Sequence, residues 1–289
     1  MLPLRDVLLA LLVVVIWGVN FVFIRWGVDE VPPLFLTGLR YLAAVLPAVF
    51  FIRRPKVRLS VLVVYGLSIG VAQFGLLFLA ISLGMPSGLA SLVMQLQAFF
   101  TFVLAMLFLG EGITRFQLLG AVVAFSGIAL IALDRLEASL LTPLLLCVLA
   151  AFFWGVANVT TKKAGRIDMF GFVVWSSLVP PLPLFALSML IEGPDAVFFG
   201  LTHLTGLGLG SIVMNGYAAT LLGFGLWSYL LSRYPASTIA PFSLLVPIVG
   251  MASAAVLLHE AITGLEIAGS VLVFLGLMLN VFGPRCWRG

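Results

Sequence analysis

Charge is what this chain has least of. Its 289 residues include only 15 basic and 11 acidic ones, 9% charged in all, while 63% are hydrophobic. Ordinary soluble domains are about 25% charged. So few charges cannot clothe a water-facing surface of this size, which excludes a soluble enzyme, a disordered chain and a nucleic-acid-binding domain. The basic residues sit in short clusters between apolar runs and form no stripe for nucleic acid. Cysteine is scarce: Cys147 and Cys286 make neither a disulfide framework nor a metal site. Cys147, inside an apolar run, reads as a small hydrophobe. The two histidines, His203 and His259, stand at the ends of runs without a partner cluster that would make a base or a metal site. No Walker sequence is present, so ATP hydrolysis is not built in. No cofactor and no metal is expected.

Apolar runs fill the space that charge leaves. A helix needs about 20 mostly apolar residues to cross the hydrocarbon core, and ten such runs follow one another: 7–24, 34–52, 61–83, 89–109, 116–133, 144–161, 169–191, 207–231, 239–258 and 267–282. Nine carry no formal charge; the second holds Arg40. They lack the two-residue alternation of barrel strands, and lipid demands that backbone groups be satisfied within the segment, so each run is expected to be a helix. The first run follows Arg5 but has no Ala-x-Ala cleavage pattern and continues through Trp17, Asn20 and Trp26, so it reads as a span and not a signal peptide. The fold class expected is an all-α polytopic membrane protein of ten transmembrane helices.

Loop charge gives an orientation. With both termini in the cytoplasm, that side holds Arg5, Arg53, Arg54, Lys56, Arg58, Arg115, Lys162, Lys163, Arg166, Arg233, Arg285 and Arg288. The far side holds Asp29, Glu30, Asp134, Glu137, Glu192, Asp195, Glu260 and Glu266, with Arg25 and Arg135 beside them. The positive-inside rule demands this arrangement. A bacterial inner membrane is the expected location.

The halves resemble each other. Glu111 and Glu260, Thr114 and Thr263, Gly120 and Gly269, and Gly127 and Gly276 are each 149 positions apart, and Trp17-Gly-Val-Asn20 is matched loosely by Trp154-Gly-Val-Ala-Asn158. Two five-span units are expected, 1–137 and 138–289. An odd number of crossings places the second upside down. Inverted repeats belong to transporters, with substrate near the midplane between the halves. Thr114 with Gln117, and Thr263 with Glu266, read as capping boxes that start the fifth and tenth helices. Glu111 and Glu260 read as loop or cap residues, with gating or coupling as the alternative. The paired glycines, with Gly66 and Gly70, are expected to let helices approach closely.

Polar residues in lipid usually face the bundle interior. Trp17, Asn20 and Ile24 share one face of the first span; Trp154, Asn158 and Thr161 share one face of the sixth. The two pairs of Trp and Asn are candidates for opposite walls of one cavity, with interhelical glue the alternative. Gln73 in the third span is a further candidate. Gln97 is the better candidate than Gln95, because it shares a face with Met94 and Thr101. Tyr217, Thr220, Phe224 and Trp227 form an aromatic stripe able to stack a side chain, or to pack helices, with Asn215 pointing away. Arg40 either snorkels outward or meets a substrate carboxylate near the outer mouth.

Trp17-Gly-Val-Asn20-Phe-Val-Phe-Ile-Arg25, Pro32-Pro33-Leu, Leu39-Arg40-Tyr41 and Leu109-Gly-Glu111-Gly-Ile-Thr114 resemble the EamA-type members of the drug/metabolite transporter superfamily. In the second half Gly223-Phe-Gly-Leu-Trp227-Ser-Tyr229, Pro235-Ala-Ser, Leu245-Val-Pro247 and Leu258-His-Glu260 agree. The resemblance covers nearly the whole chain and is nearest the cysteine/O-acetylserine and aromatic amino-acid exporters. It implies ten helices in two inverted repeats and export of small metabolites, with no enzymatic activity. Phosphate-carrying members need buried cations, yet the fourth and ninth spans have no Lys or Arg; the small multidrug branch has a glutamate in its first span that is missing here. The function expected is alternating-access, facilitative export of neutral amino acids, aromatic ones among them, and related metabolites. A broad drug and metabolite exporter is the alternative. The partners expected are a small-molecule substrate and the lipid bilayer; the sequence does not give the oligomeric state.

Overall fold

The computed structural model describes residues 3–137, 141–165 and 167–286. Ten helices in it are long and apolar enough to span a bilayer: α1 (Leu4–Val28), α2 (Pro33–Phe51), α3 (Leu59–Ser82), α4 (Ser87–Leu109), α5 (Arg115–Leu133), α6 (Leu141–Ala164), α7 (Met169–Ile191), α8 (Gly206–Arg233), α9 (Ala240–Leu257) and α10 (Gly264–Gly283). Each apolar run is one of them, the first included. No strand occurs among the described residues. Between α7 and α8 lies a short helix, Pro194–Thr202, started by proline at its first position. The chain is a multi-pass membrane protein.

The outward faces are apolar. Leu118, Leu119, Val122, Leu265, Ile267, Val271 and Leu275 of α5 and α10 are all exposed. On a soluble protein such a belt would aggregate; here it meets lipid. Lipid is as apolar as leucine, so it gives the helices no hydrophobic reason to associate, and close packing must hold them together. Glycine supplies it between α5 and α10. A Cβ on Gly120 would lie 2.6 Å from the carbonyl oxygen of Gly276, and one on Gly127 2.5 Å from that of Gly269. The repeated glycines of the sequence therefore meet one another. Gly18 brings α1 against Val249 and Gly250 of α9, and Gly155 brings α6 against Phe100 and Thr101 of α4.

Several helices depart from regular geometry. α3 and α8 each contain a π-helical stretch, Gly66–Phe74 and Met214–Gly223. α4 and the start of α9 tighten into 3₁₀ turns at Met94–Leu96 and Ala240–Leu245. α2 is interrupted at Leu46–Pro47, and α7 between Ser176 and Pro181. Wide π turns leave room and re-aim side chains, and they concentrate at functional sites.

Two kinds of cap recur at helix starts. Thr114 Oγ1 accepts the Gln117 N–H (3.2 Å) while Gln117 Oε1 accepts that of Thr114 (2.9 Å). Glu266 and Thr263 exchange the same bonds at 3.1 and 3.0 Å. Both expected capping boxes are present. At one end of the bundle, carboxylates from distant turns also cap helices. Glu30 accepts the N–H groups of Thr205 (3.0 Å) and Gly208 (3.1 Å) at the start of α8. Glu192 accepts those of Leu34 (2.7 Å) and Phe35 (3.3 Å) at the start of α2. Glu260 does the same for α4. An anion at a helix N-terminus contributes about 0.3–1 kcal/mol, up to about 2 when partly buried. At the opposite end, the hydroxyl of Tyr234, just past α8, donates to Asp6 of α1, and Trp175 Nε1 donates to the Ile52 carbonyl at 2.9 Å.

Candidate substrate site

Polar side chains gather at two places in the middle of the bundle. The first joins α1, α2 and α8. Asn20 Nδ2 donates to Asn215 Oδ1 at 3.1 Å, and Asn215 Nδ2 donates to the Ser211 carbonyl at 2.9 Å. Thr220 Oγ1 donates to the Asn215 carbonyl five positions earlier (2.8 Å) and accepts from Arg40 Nη2 (2.9 Å). The five-residue step is the π-helical register at work. On a regular α-helix residues 215 and 220 would stand about 140° apart; the wider turn brings them to one side. The expectation that Asn215 points away from the aromatic stripe is thereby overturned: like Phe224 and Trp227, it faces α1. It is buried and bonded to Asn20.

The same wide turn splits the expected stripe on α8. Thr220 is buried, whereas Tyr217 is 40% exposed and its hydroxyl donates to the Leu46 carbonyl at the interruption of α2. Trp17 sits against Phe224 and Trp227, with ring centroids 5.3 Å away in each case, and its Nε1 donates to the Ala219 carbonyl at 3.0 Å. Trp17 thus ties α1 to α8.

Arg40 does not snorkel. It is 1% exposed, with its guanidinium carbon 3.8 Å from the centre of the Phe74 ring and 5.2 Å from that of Tyr41. Nη2 has Thr220 as acceptor, but Nε and Nη1 have none, and no described carboxylate pairs with it. The outward route is closed because the aromatic rings around the guanidinium satisfy its faces, in contacts worth about 2 kcal/mol when desolvated. A small cavity borders it, lined by Tyr41, Tyr65, Ile69, Phe74, Val173, Ser176, Ser177, Thr220 and Phe224. At about 10 Å³ it has room for one water molecule.

The second gathering joins α4 and α6. Asn158 Nδ2 donates to Gln97 Oε1 at 2.6 Å and to Thr101 Oγ1 at 3.0 Å, while Thr101 donates to the Gln97 carbonyl at 2.6 Å. Gln97, Thr101 and Asn158 are therefore brought together as the shared helix faces suggested. Trp154 packs partly buried beside the cluster of Tyr65 and Phe172. Gln73 is 1% exposed, and its Oε1 has no donor.

Of the residues read from sequence, Arg40, Thr220 and Phe224 meet at the cavity; Trp17 and Trp227 stand behind Phe224, and Asn20 behind Asn215. Gln97, Thr101 and Asn158 form the separate α4–α6 network. Tyr41, Tyr65, Phe74, Ser176 and Ser177 were missed. The serine pair preceding Pro180-Pro181 was the one legible signal, because a break in a span frees backbone groups and admits polar neighbours. The described residues contain no cluster of three His, Cys, Asp or Glu that could hold a metal.

Ten membrane-spanning helices with a buried cation and amide networks between them are an architecture suited to carrying a solute. The chain belongs to the EamA-like transporter family, whose sequence profile matches residues 4–133 and 141–282. It is 46% identical to a probable amino-acid metabolite efflux pump of Salmonella typhimurium and 44% identical to one of the same description in Escherichia coli. Each likeness covers 98% of this chain and 97% of the relative. A probable terminal-alkyne amino-acid exporter of Streptantibioticus cattleyicolor is 28% identical over 93% of the chain and 90% of that protein. Among solved structures, a crystal structure of a protein 19% identical matches with a TM-score of 0.63, covering 97% of this chain and 98% of its own; it speaks for the fold alone.

Proposed function

We propose that the chain exports neutral amino acids, aromatic ones among them, and related small metabolites from the cytoplasm of a bacterium across its inner membrane. The reading rests on the full-length likeness to proteins described as amino-acid metabolite efflux pumps. The observation in the structure that carries it is the buried network Asn20–Asn215–Thr220–Arg40, which offers a polar small molecule hydrogen-bonding partners deep in an apolar bundle.

The mechanism is alternating access of two five-helix halves, 1–137 and 138–289, related by inversion. In support, departures from regular geometry recur in order: π turns in α3 and α8, 3₁₀ turns in α4 and α9, interruptions in α2 and α7. In the same sense α1 packs on α8 and α9, and α6 on α3 and α4. The family profile also matches the chain in two stretches. Substrate binds near Trp17, Asn20, Arg40, Gln73, Gln97, Thr101, Trp154, Asn158, Tyr217, Thr220, Phe224 and Trp227. Both termini are cytoplasmic, which leaves the Glu30, Glu192 and Glu260 caps at the outer end.

Uptake of a labelled amino-acid panel into liposomes holding the purified chain tests the reading, with a hydrophobic drug cation as the contrasting cargo. Saturable uptake of neutral amino acids is expected. Uptake of the drug alone would replace the reading with that of a broad drug exporter. Single cysteines in the 53–58 loop should react with an impermeant thiol reagent from the cytoplasmic side only; labelling from outside would reverse the topology.

A further inference from the structure

We propose that Arg40 is the seat of a substrate carboxylate, and that the chain selects its cargo by that group and not by the ammonium group. The inference rests on the exporter reading and narrows it to one class, monocarboxylic acids with an apolar side chain.

The argument starts from an uncompensated charge. A buried ion without its counterion costs several kcal/mol, so a side chain kept in that state points to a charge supplied from elsewhere. Arg40 is 1% exposed and no described acid pairs with it. Its surroundings hold it without neutralising it. Thr220 takes one donor of Nη2 and Phe74 lies 3.8 Å beneath the guanidinium carbon. Five N–H donors belong to the fork, and those of Nε and Nη1 are left without acceptors. The second donor of Nη2, with that of Nε or with one of Nη1, makes a two-pronged grip on a carboxylate. A phosphate dianion would call for further cations, and no described cation besides Arg40 lines the cavity.

The rest of the cavity defines what the carboxylate is attached to. The rings of Tyr65, Phe74 and Phe224 give apolar walls, and the other polar side chains lining it among the described residues are hydroxyls, those of Ser176, Ser177 and Thr220 among them. No described carboxylate lines it, so no described side chain there would form an ion pair with an ammonium group. The cavity must widen to admit a metabolite, and the two π-helical stretches supply the walls that would move: one carries Phe74, the other Thr220.

The native protein in nanodiscs, with four ligands, supplies the test: phenylalanine, its deaminated acid 3-phenylpropionate, phenylalanine amide, and acetate. Isothermal titration should find phenylalanine and 3-phenylpropionate binding within about tenfold of each other. The amide should bind at least tenfold more weakly, and acetate more weakly still. Arg40→Gln should remove the preference for acid over amide; Thr220→Val, which keeps the cation, should weaken binding but retain the preference. Equal binding of acid and amide to the native protein overturns the proposal without recourse to a variant. So does acetate binding as tightly as phenylpropionate, which would mark a simple anion site. So does an Arg40→Gln protein that is folded and still prefers the acid. Amino acids carried into liposomes together with their amides would sink the carboxylate seat and leave the exporter standing. Acids bound but not carried would sink the exporter alone.

Discussion

Glu260 Oε2, in the turn between α9 and α10, accepts the backbone N–H of Gly88 at 3.0 Å, and its Oε1 takes that of Ser87 at 2.7 Å. One carboxylate from the second half of the chain thus closes the start of α4 in the first half. Glu111, 149 positions earlier, does not act as its counterpart: it meets Lys162 Nζ at 2.8 Å in an exposed pair. Exposed pairs contribute about 0–1 kcal/mol, a helix cap typically about 1. Two residues at matching places in the sequence hold different partners, so they distinguish the two ends of the bundle in this conformation.

Removing the Glu260 clasp should loosen its end. Ser87 is fully buried, so a cysteine there reports opening. Adding Glu260→Ala to Ser87→Cys should speed thiol labelling about fivefold, the equivalent of about 1 kcal/mol. Glu111→Ala should leave the rate as it was. Equal rates with and without Glu260 would deny it any part in closing that end.

Close packing of α5 on α10 tolerates nothing larger than glycine. Gly120→Leu and Gly276→Leu should each lower the thermal stability of the detergent-solubilised protein by the equivalent of about 1–3 kcal/mol or more. A Cβ on Gly112 meets nothing within 4 Å, so Gly112→Ala is the silent control. Unchanged melting of the leucine variants would place this contact elsewhere.

Asn20 and Asn215 should behave as a pair. Asn20→Ala and Asn215→Ala are each expected to slow transport, and their double-mutant cycle should give a coupling of about 0.6 kcal/mol, the average for interhelical hydrogen bonds in membranes. An Asn215→Ala protein with native transport and stability would restore the regular-helix view of α8.

No acid stands at mid-membrane, and every Asp and Glu is at a helix end or in a turn. Transport should therefore follow the substrate gradient alone. In liposomes with equal substrate on both sides, an imposed pH difference should cause no accumulation. Accumulation would assign proton coupling to a terminal acid such as Glu111 or Glu260, or to a histidine.

Much of this protein is written in local pattern. The ten spans were legible because the bilayer fixes how long an apolar run must be, and the capping boxes because their bonds link residues three apart. The glycine pairs could be read as close-contact residues, although only the packed helices reveal that Gly120 faces Gly276 and Gly127 faces Gly269. Gln97, Thr101 and Asn158 met as expected because α4 and α6 keep ordinary helical faces there.

Where the helix period fails, sequence reading fails with it. The wheel that turned Asn215 away from the aromatic stripe assumed 3.6 residues per turn, and the π stretch from Met214 to Gly223 does not obey it. The fate of Arg40 was equally out of reach. A single cation in an apolar run can snorkel or stay buried, and the choice depends on Phe74 from α3 and Thr220 from α8, 34 and 180 positions away in the sequence. Sequence alone set which segments cross the membrane, since that depends on summed transfer energies of consecutive residues. Tertiary packing decided which side chains share a cavity and which cation is left without an anion, because those outcomes depend on contacts between segments that no local period encodes.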